Sequence, residues 1–182
     1  MAIHGTLQHI TFIYRQGHSS LPPFSSFIVA KFPNDFARHH IPRSVTKALM
    51  WWEAILQNLS GCCSLFPHPT IDLDIWVDTS TDWGIGIVLG HLWDAWRLKP
   101  SWKTNRCDIG WVESIALELA ILWLIQASHI DCNIIVCGDN TGVIGTFNKG
   151  CLHNIPHNDS ICCMATSIIP NNITISPVYV TA

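Results

Sequence analysis

The stretch from Asp108 to Ala127, DIGWVESIALELAILWLIQA, constrains the fold more than any other part of the sequence. It has helical length, an Asp placed to cap its start, and apolar side chains nearly all round. Such a helix must be buried on more than one side, so its neighbours have to supply the cover. Those neighbours are rich in strand formers. IDLDIWVD alternates acidic and apolar residues up to Asp78, as a strand with one wet face does. WGIGIVLG and LWDAWRL read as two more strands, with glycines at 84, 86 and 90 admitting tight turns or bulges. After the helix, NIIVCGD is apolar without alternation, which suits an interior strand, and it ends on Asp139. Helices are expected over 140–148 and 158–168. NITISPVYV is then a last strand, confined by Pro177 to an edge or a bulge. The expected fold is α/β with the order βββαβααβ and a mixed sheet.

Upstream, the signal is weak over residues 1–40 and sharpens after Pro42 and Ser44. Val45, Leu49, Trp52, Ile55, Leu56 and Leu59 recur there at helical spacing. CCSLFPHPT reads as a linker, which divides the chain into a helical segment over 1–66 and a domain over 67–182. With 48% hydrophobic and 13% charged residues the sequence is too apolar to be disordered. The apolar run from Ile115 to Ile130 is interrupted by Glu118, so no membrane segment is expected. Without a secretory pattern at the N-terminus, the expectation is an intracellular protein of the cytoplasm or nucleus. The eight cysteines include the adjacent pairs Cys62–Cys63 and Cys162–Cys163, which suits free thiols better than a disulfide framework. A zinc site from His129, Cys132 and Cys137 lacks a second paired motif.

The net charge of -3 conceals an asymmetry: residues 1–66 carry five Lys/Arg against two acids, and 67–182 carry five against eleven. An acidic domain repels nucleic acid unless divalent metal neutralises it. Asp78, Glu118 or Glu113, and Asp139 converge if the first and fourth strands are parallel neighbours with the helix packed over their ends. Clustered carboxylates raise one another's pKa, and a hard cation such as Mg2+ or Mn2+ relieves them. The competing reading makes Asp78 and Asp139 ordinary turn or cap residues. Arg97, Lys99, Lys103 and Arg106, interleaved with Trp93, Trp96 and Trp102, suit phosphate contacts with aromatic packing, or else a solvated hairpin over buried tryptophans. Of Trp51 and Trp52, at least one belongs to a core. His39–His40 read as surface residues and Asp82 as the acid of a turn.

VDTSTDWGIGIVLG, AWRLKPSWK, DIGWVESIALELAIL, VCGDNTGVIG and PVYV, in that order, resemble the ribonuclease H module of retroelement polymerases, most of all those of fungal retrotransposons. GTLQHITFIY and RHHIPRSVTKALMWWEAIL resemble the end of the polymerase thumb that precedes that module. The resemblance implies a ribonuclease H-like fold, an RNA–DNA hybrid as partner, and Mg2+-dependent hydrolysis of its RNA strand. It places the first catalytic Asp on Asp78 and the strand-end Asp on Asp139. For the Glu it favours Glu118, 21 residues before Asp139, over Glu113, 26 before it. The intact family uses two ions. Its fourth metal-binding residue follows the last strand and has no counterpart after VYV, so one ion and impaired activity are expected here. A transposon remnant that at most binds nucleic acid or a partner is the alternative.

Overall fold

The computed structural model describes residues 2–31, 38–58, 68–104, 106–139, 145 and 155–180. The elements are α1 (Ala2–Ile10), a 3-10 turn (Arg15–Ser20), α2 (Pro22–Lys31), α3 (Arg43–Asn58), β1 (Thr70–Ile71), β2 (Ile75–Thr79), β3 (Gly84–Leu89) and β4 (Leu92–Arg97). There follow α4 (Ile109–Gln126), β5 (Asn133–Gly138), α5 (Ile155–Ile168) and β6 (Thr174–Tyr179). The linker expected around 62–70 and the helix expected over 140–148 lie outside the described residues, save for Gly145 and the linker's end.

The chain is a mixed α/β protein with one six-stranded mixed sheet. β2, β3 and β4 form an antiparallel meander, while β5 runs parallel to β1, β2 and β6. β6 pairs with β5 along its whole length, so β1 and β2 share the other edge of β5. The spatial order is therefore β4, β3, then β2 with β1, then β5, then β6.

The run IDLDIWVD is two strands rather than one. Asp72 Oδ1 accepts the Asp74 N–H at 3.0 Å, and Asp74 takes a left-handed φ of 55°, which an Asp tolerates. This local bond competes with the ladder and breaks it between β1 and β2. Elsewhere the turn chemistry read from the sequence agrees with the fold. Gly90, at φ 59°, opens the two-residue turn between β3 and β4, and a Cβ on Gly84 would collide with the Trp96 carbonyl. Pro177 sits in β6, which pairs with β5 alone among the described residues.

α4 lies against β2 and β3 on one face of the sheet and against α5 on its flank. Val112, Ala116, Ala120, Ile121 and Leu124 are almost fully buried there against Ile75, Ile87, Ile134 and Val136. By length and composition alone, α4 is the one described helix long and apolar enough to cross a membrane. The opposite face alternates out to Trp76, Val88, Trp93 and Val178, which remain exposed. The N-terminal helices form a second cluster around Trp52, with Leu7, Leu21, Phe24, Val45 and Ala48.

Candidate functional site

The parallel register that sets Trp76 opposite Cys137 brings Asp78 level with Asp139 two residues later. Neighbouring strands are about 4.8 Å apart, so the two acids stand side by side at the strand ends. A short connection, 127–132, joins α4 to β5, so the helix runs antiparallel to that strand. Its N-terminal part therefore overlies the ends of β2 and β5. Glu113 lies there, in a pocket whose lining includes Asp78, Thr79, Ala116, Leu117, Gly138 and Asp139.

Glu113 lines this pocket, and Glu118, preferred over it above, is not among the lining residues. Five residues on, it is displaced by about 7.5 Å along the axis and about 140° around it. It faces α5, where its Oε2 accepts the Ser160 hydroxyl at 3.0 Å. Burial raises the Glu118 pKa above the usual carboxylate range, against the lowering effect of the Ser160 hydrogen bond. The spacing to Asp139 counted in sequence takes no account of helix direction, which the six-residue connection after α4 sets.

The lining offers oxygen ligands only, with no thiol or imidazole, and is right in kind for Mg2+ or Mn2+. As they stand, however, no three His, Cys, Asp or Glu among the described residues are grouped closely enough to hold a metal ion. This applies equally to His129, Cys132 and Cys137, drawn above as a zinc set. Strand alternation explains the spread of the carboxylates. Asp78 is exposed on the face opposite α4, with its Oδ1 accepting the Thr79 N–H at 2.8 Å, whereas Glu113 comes down from α4.

Thr79, not singled out in the sequence, shares the α4 side with Val77. Its hydroxyl oxygen is buried and has no hydrogen-bond partner among the described residues. Alternation after Asp78 was enough to have placed it there.

A second recess begins at Thr81, two residues after Thr79. Arg97, Lys99 and Lys103 line an open groove with Asp82, Ser101 and Trp102. The Lys103 ammonium lies 5.3 Å from the centre of the Trp102 ring, a cation–π distance. Arg106 is exposed outside that lining. The turn Ser80–Trp83 connects groove to pocket, with the Ser80 N–H donating to the Gly84 carbonyl at 2.8 Å.

The start of α4 is fixed by a clamp that the sequence did not reveal. Asp108 caps the helix, accepting the Trp111 N–H at 3.0 Å, and its Oδ1 also meets His157 Nε2 of α5 at 2.6 Å. Burial acts to raise the Asp108 pKa, but the Trp111, His157 and Gly110 interactions outweigh it and leave the group below its usual value.

No protein-family model and no curated protein matches this chain.

Proposed function

We propose that this chain is a ribonuclease H-like module whose chemistry is Mg2+- or Mn2+-dependent hydrolysis of RNA in an RNA–DNA hybrid. The observation that carries the reading is that Asp78, Glu113 and Asp139, from two strand ends and a helix, all line one pocket. The strand order, with an antiparallel meander followed by two parallel crossovers, agrees with it. So does the resemblance of the motifs in which Asp78 and Asp139 lie.

On this reading the three carboxylates hold the cation, which when bound lowers the pKa of water and stabilises charge on phosphoryl oxygens. Arg97, Lys99 and Lys103 bind backbone phosphates beside the pocket, with Arg106 as a further contact. The partner is then the hybrid, and the compartment is intracellular, without a membrane. Glu118 is a structural acid between helices and no ligand.

A second reading, a nucleic-acid-binding remnant without catalysis, is favoured by the spread of the carboxylates, no three of which are grouped for a metal. Hybrid cleavage in Mg2+ separates the two. Asp78→Asn, Glu113→Gln and Asp139→Asn should each lower it by at least about a hundredfold, more than loss of an outer-shell partner usually costs, while Glu118→Gln leaves it near the starting level. Hybrid binding that depends on Arg97, Lys99 and Lys103 with no Asp78-dependent cleavage would establish the remnant.

A further inference from the structure

We propose that the sheet face turned away from α4 is a docking surface for a cationic amphipathic helix of a protein partner, seated across the strands on a row of apolar side chains. The inference stands apart from the nuclease reading, because no side chain of the row lines the carboxylate pocket.

The row follows from strand register. Val178 is the Cα partner of Cys137, Cys137 of Trp76, Trp76 of Val88, and Val88 of Trp93. Residues directly opposite one another in a sheet share a face, so all five project from the same side at one level. Trp93, Trp76, Val178 and Val88 are exposed, and Cys137 is half-buried among them. With strands about 4.8 Å apart, the row is about 19 Å long, which a helix of about 13 residues spans. The next level, beside Val88 and Trp93, carries only Gly86 and Ala95, and a Cβ on Gly86 would meet no heavy atom within 4 Å. The row is therefore bordered there by open space in which a helix can lie.

Backbone chemistry selects the helix. The N–H and C=O groups of a sheet lie in its plane and are used by the ladders, so an element resting on the face has to satisfy its own. Charge selects its composition. Asp74 Oδ1 accepts the Trp76 indole N–H at 2.7 Å, and Asp72 Oδ1 accepts the Asp74 N–H, so two acids border the row on one side. Asp78 and Asp139, two residues beyond Trp76 and Cys137, are exposed on the other. Among the described strand residues, Arg97 is the one Lys or Arg on this face, at a corner opposite Gly84. An apolar strip between two acidic borders matches a helix with apolar residues at i, i+3, i+4 and i+7 flanked by Lys or Arg. A second copy of the chain would bring the same row with four more carboxylates and a single arginine, a poorer electrostatic match.

The test titrates the full chain with labelled synthetic peptides of about 14 residues, long enough to span the row. One has leucines along one helical face and lysines beside them, the second has glutamates in place of the lysines, and the third is the first in shuffled order. Fluorescence anisotropy measures binding, and sedimentation velocity follows the chain alone. The lysine peptide is expected to bind at least about tenfold more tightly than either of the others. Trp93→Ser should weaken it about tenfold, as loss of an interface tryptophan does. Asp72→Asn with Asp74→Asn, which keeps the acceptor oxygens of the bend between β1 and β2, should weaken it and flatten its salt dependence. Equal binding of the lysine and glutamate peptides overturns the proposal, since the face is then merely apolar, and equal binding of the shuffled peptide removes the helix from it. Binding indifferent to Trp93→Ser lies elsewhere and overturns it, as does an absence of binding by all three peptides. A discrete dimer of the chain alone that Trp93→Ser dissolves gives the face to a second copy and overturns it too.

Discussion

Two glutamates on one helix illustrate how placement divides chemically identical residues. Glu118 is half-buried between α4 and α5, with Ser160 as its hydrogen-bond donor, and its pKa is raised by burial. A carboxyl that holds its proton more tightly when folded makes the native state gain from acid. Its destabilising effect is absent below the unfolded pKa and complete above the folded one, so stability declines as pH rises between them. Glu118→Gln keeps an acceptor for Ser160 and removes the charge. It should raise the melting temperature at pH 7 by about 1–3 °C, a sub-kcal effect in a chain of this length, and the gain should vanish near pH 4. Thermal melts at the two pH values check this, and a gain that persists unchanged in acid would refute it. Glu113 calls for a different reading, because it lies over the ends of β2 and β5. Asp78 and Asp139 were legible as strand-end acids from their apolar approaches alone. The choice between the glutamates needed the direction of α4, and Thr79 needed the side of β2, neither of which a residue count supplies.

At the scale of elements, the strands and helices described from Arg43 onward followed from hydrophobic pattern, whereas α1, the 3-10 turn and α2 fall where the sequence signal is weak, and element ends were decided by single side chains. Hydrophobic alternation continues from Ile71 through Ile75, yet Asp72 captures the Asp74 N–H and splits the strand. Pattern alone does not register such a competition between side chain and ladder. Asp108 was readable as a cap because the helical pattern starts right after it, but its second role was not. His157 lies 49 residues away and reaches it only because α5 crosses the start of α4. Removing the carboxylate releases both the Trp111 N–H and His157. Asp108→Ala should therefore cost about 1–2 kcal/mol, the upper part of the range for a lost cap, measured by urea unfolding at pH 7. Since the folded pKa of Asp108 is lowered, its contribution is complete above the unfolded value of about 4. It is lost as pH falls through the folded one, so the gap between Asp108→Ala and the unaltered chain should close in strong acid. A gap that is constant with pH would mean that Asp108 acts without its charge.

The whole molecule raises two questions of cover, one for each side of the sheet. On the side away from α4, Trp76, Val88, Trp93 and Val178 are exposed, Trp93 at 75%. An apolar face of this kind favours self-association. Trp93→Lys and Val88→Thr together should lower the concentration dependence of light scattering without moving the melting temperature by more than a degree or so, since neither side chain is in the core. On the helical side, α3 and the 3-10 turn make contacts beyond their own cluster. Ile55 of α3 belongs to the large core, not to the cluster around Trp52. The Trp51 indole N–H donates to Thr166 Oγ1 of α5 at 2.7 Å, and the Asn158 amide of the same helix donates to the Ser19 carbonyl. The 3-10 turn also packs along α5. Helical spacing around Val45 announced α3, but spacing reports which face is apolar and not what that face meets. Because α5 carries contacts to both clusters, loosening the first should expose apolar surface of the second, and the two should open as one cooperative unit. Native-state hydrogen exchange in low denaturant measures this directly. Amides of α3 from Ala48 to Ile55 and of β3 from Ile85 to Val88 are expected to exchange through the same opening, with matching free energy and denaturant dependence. Trp52→Ala, which empties the centre of the smaller cluster, should lower both by the same amount. Earlier exchange of α3, with β3 protection untouched by Trp52→Ala, would show instead that the N-terminal helices unfold on their own.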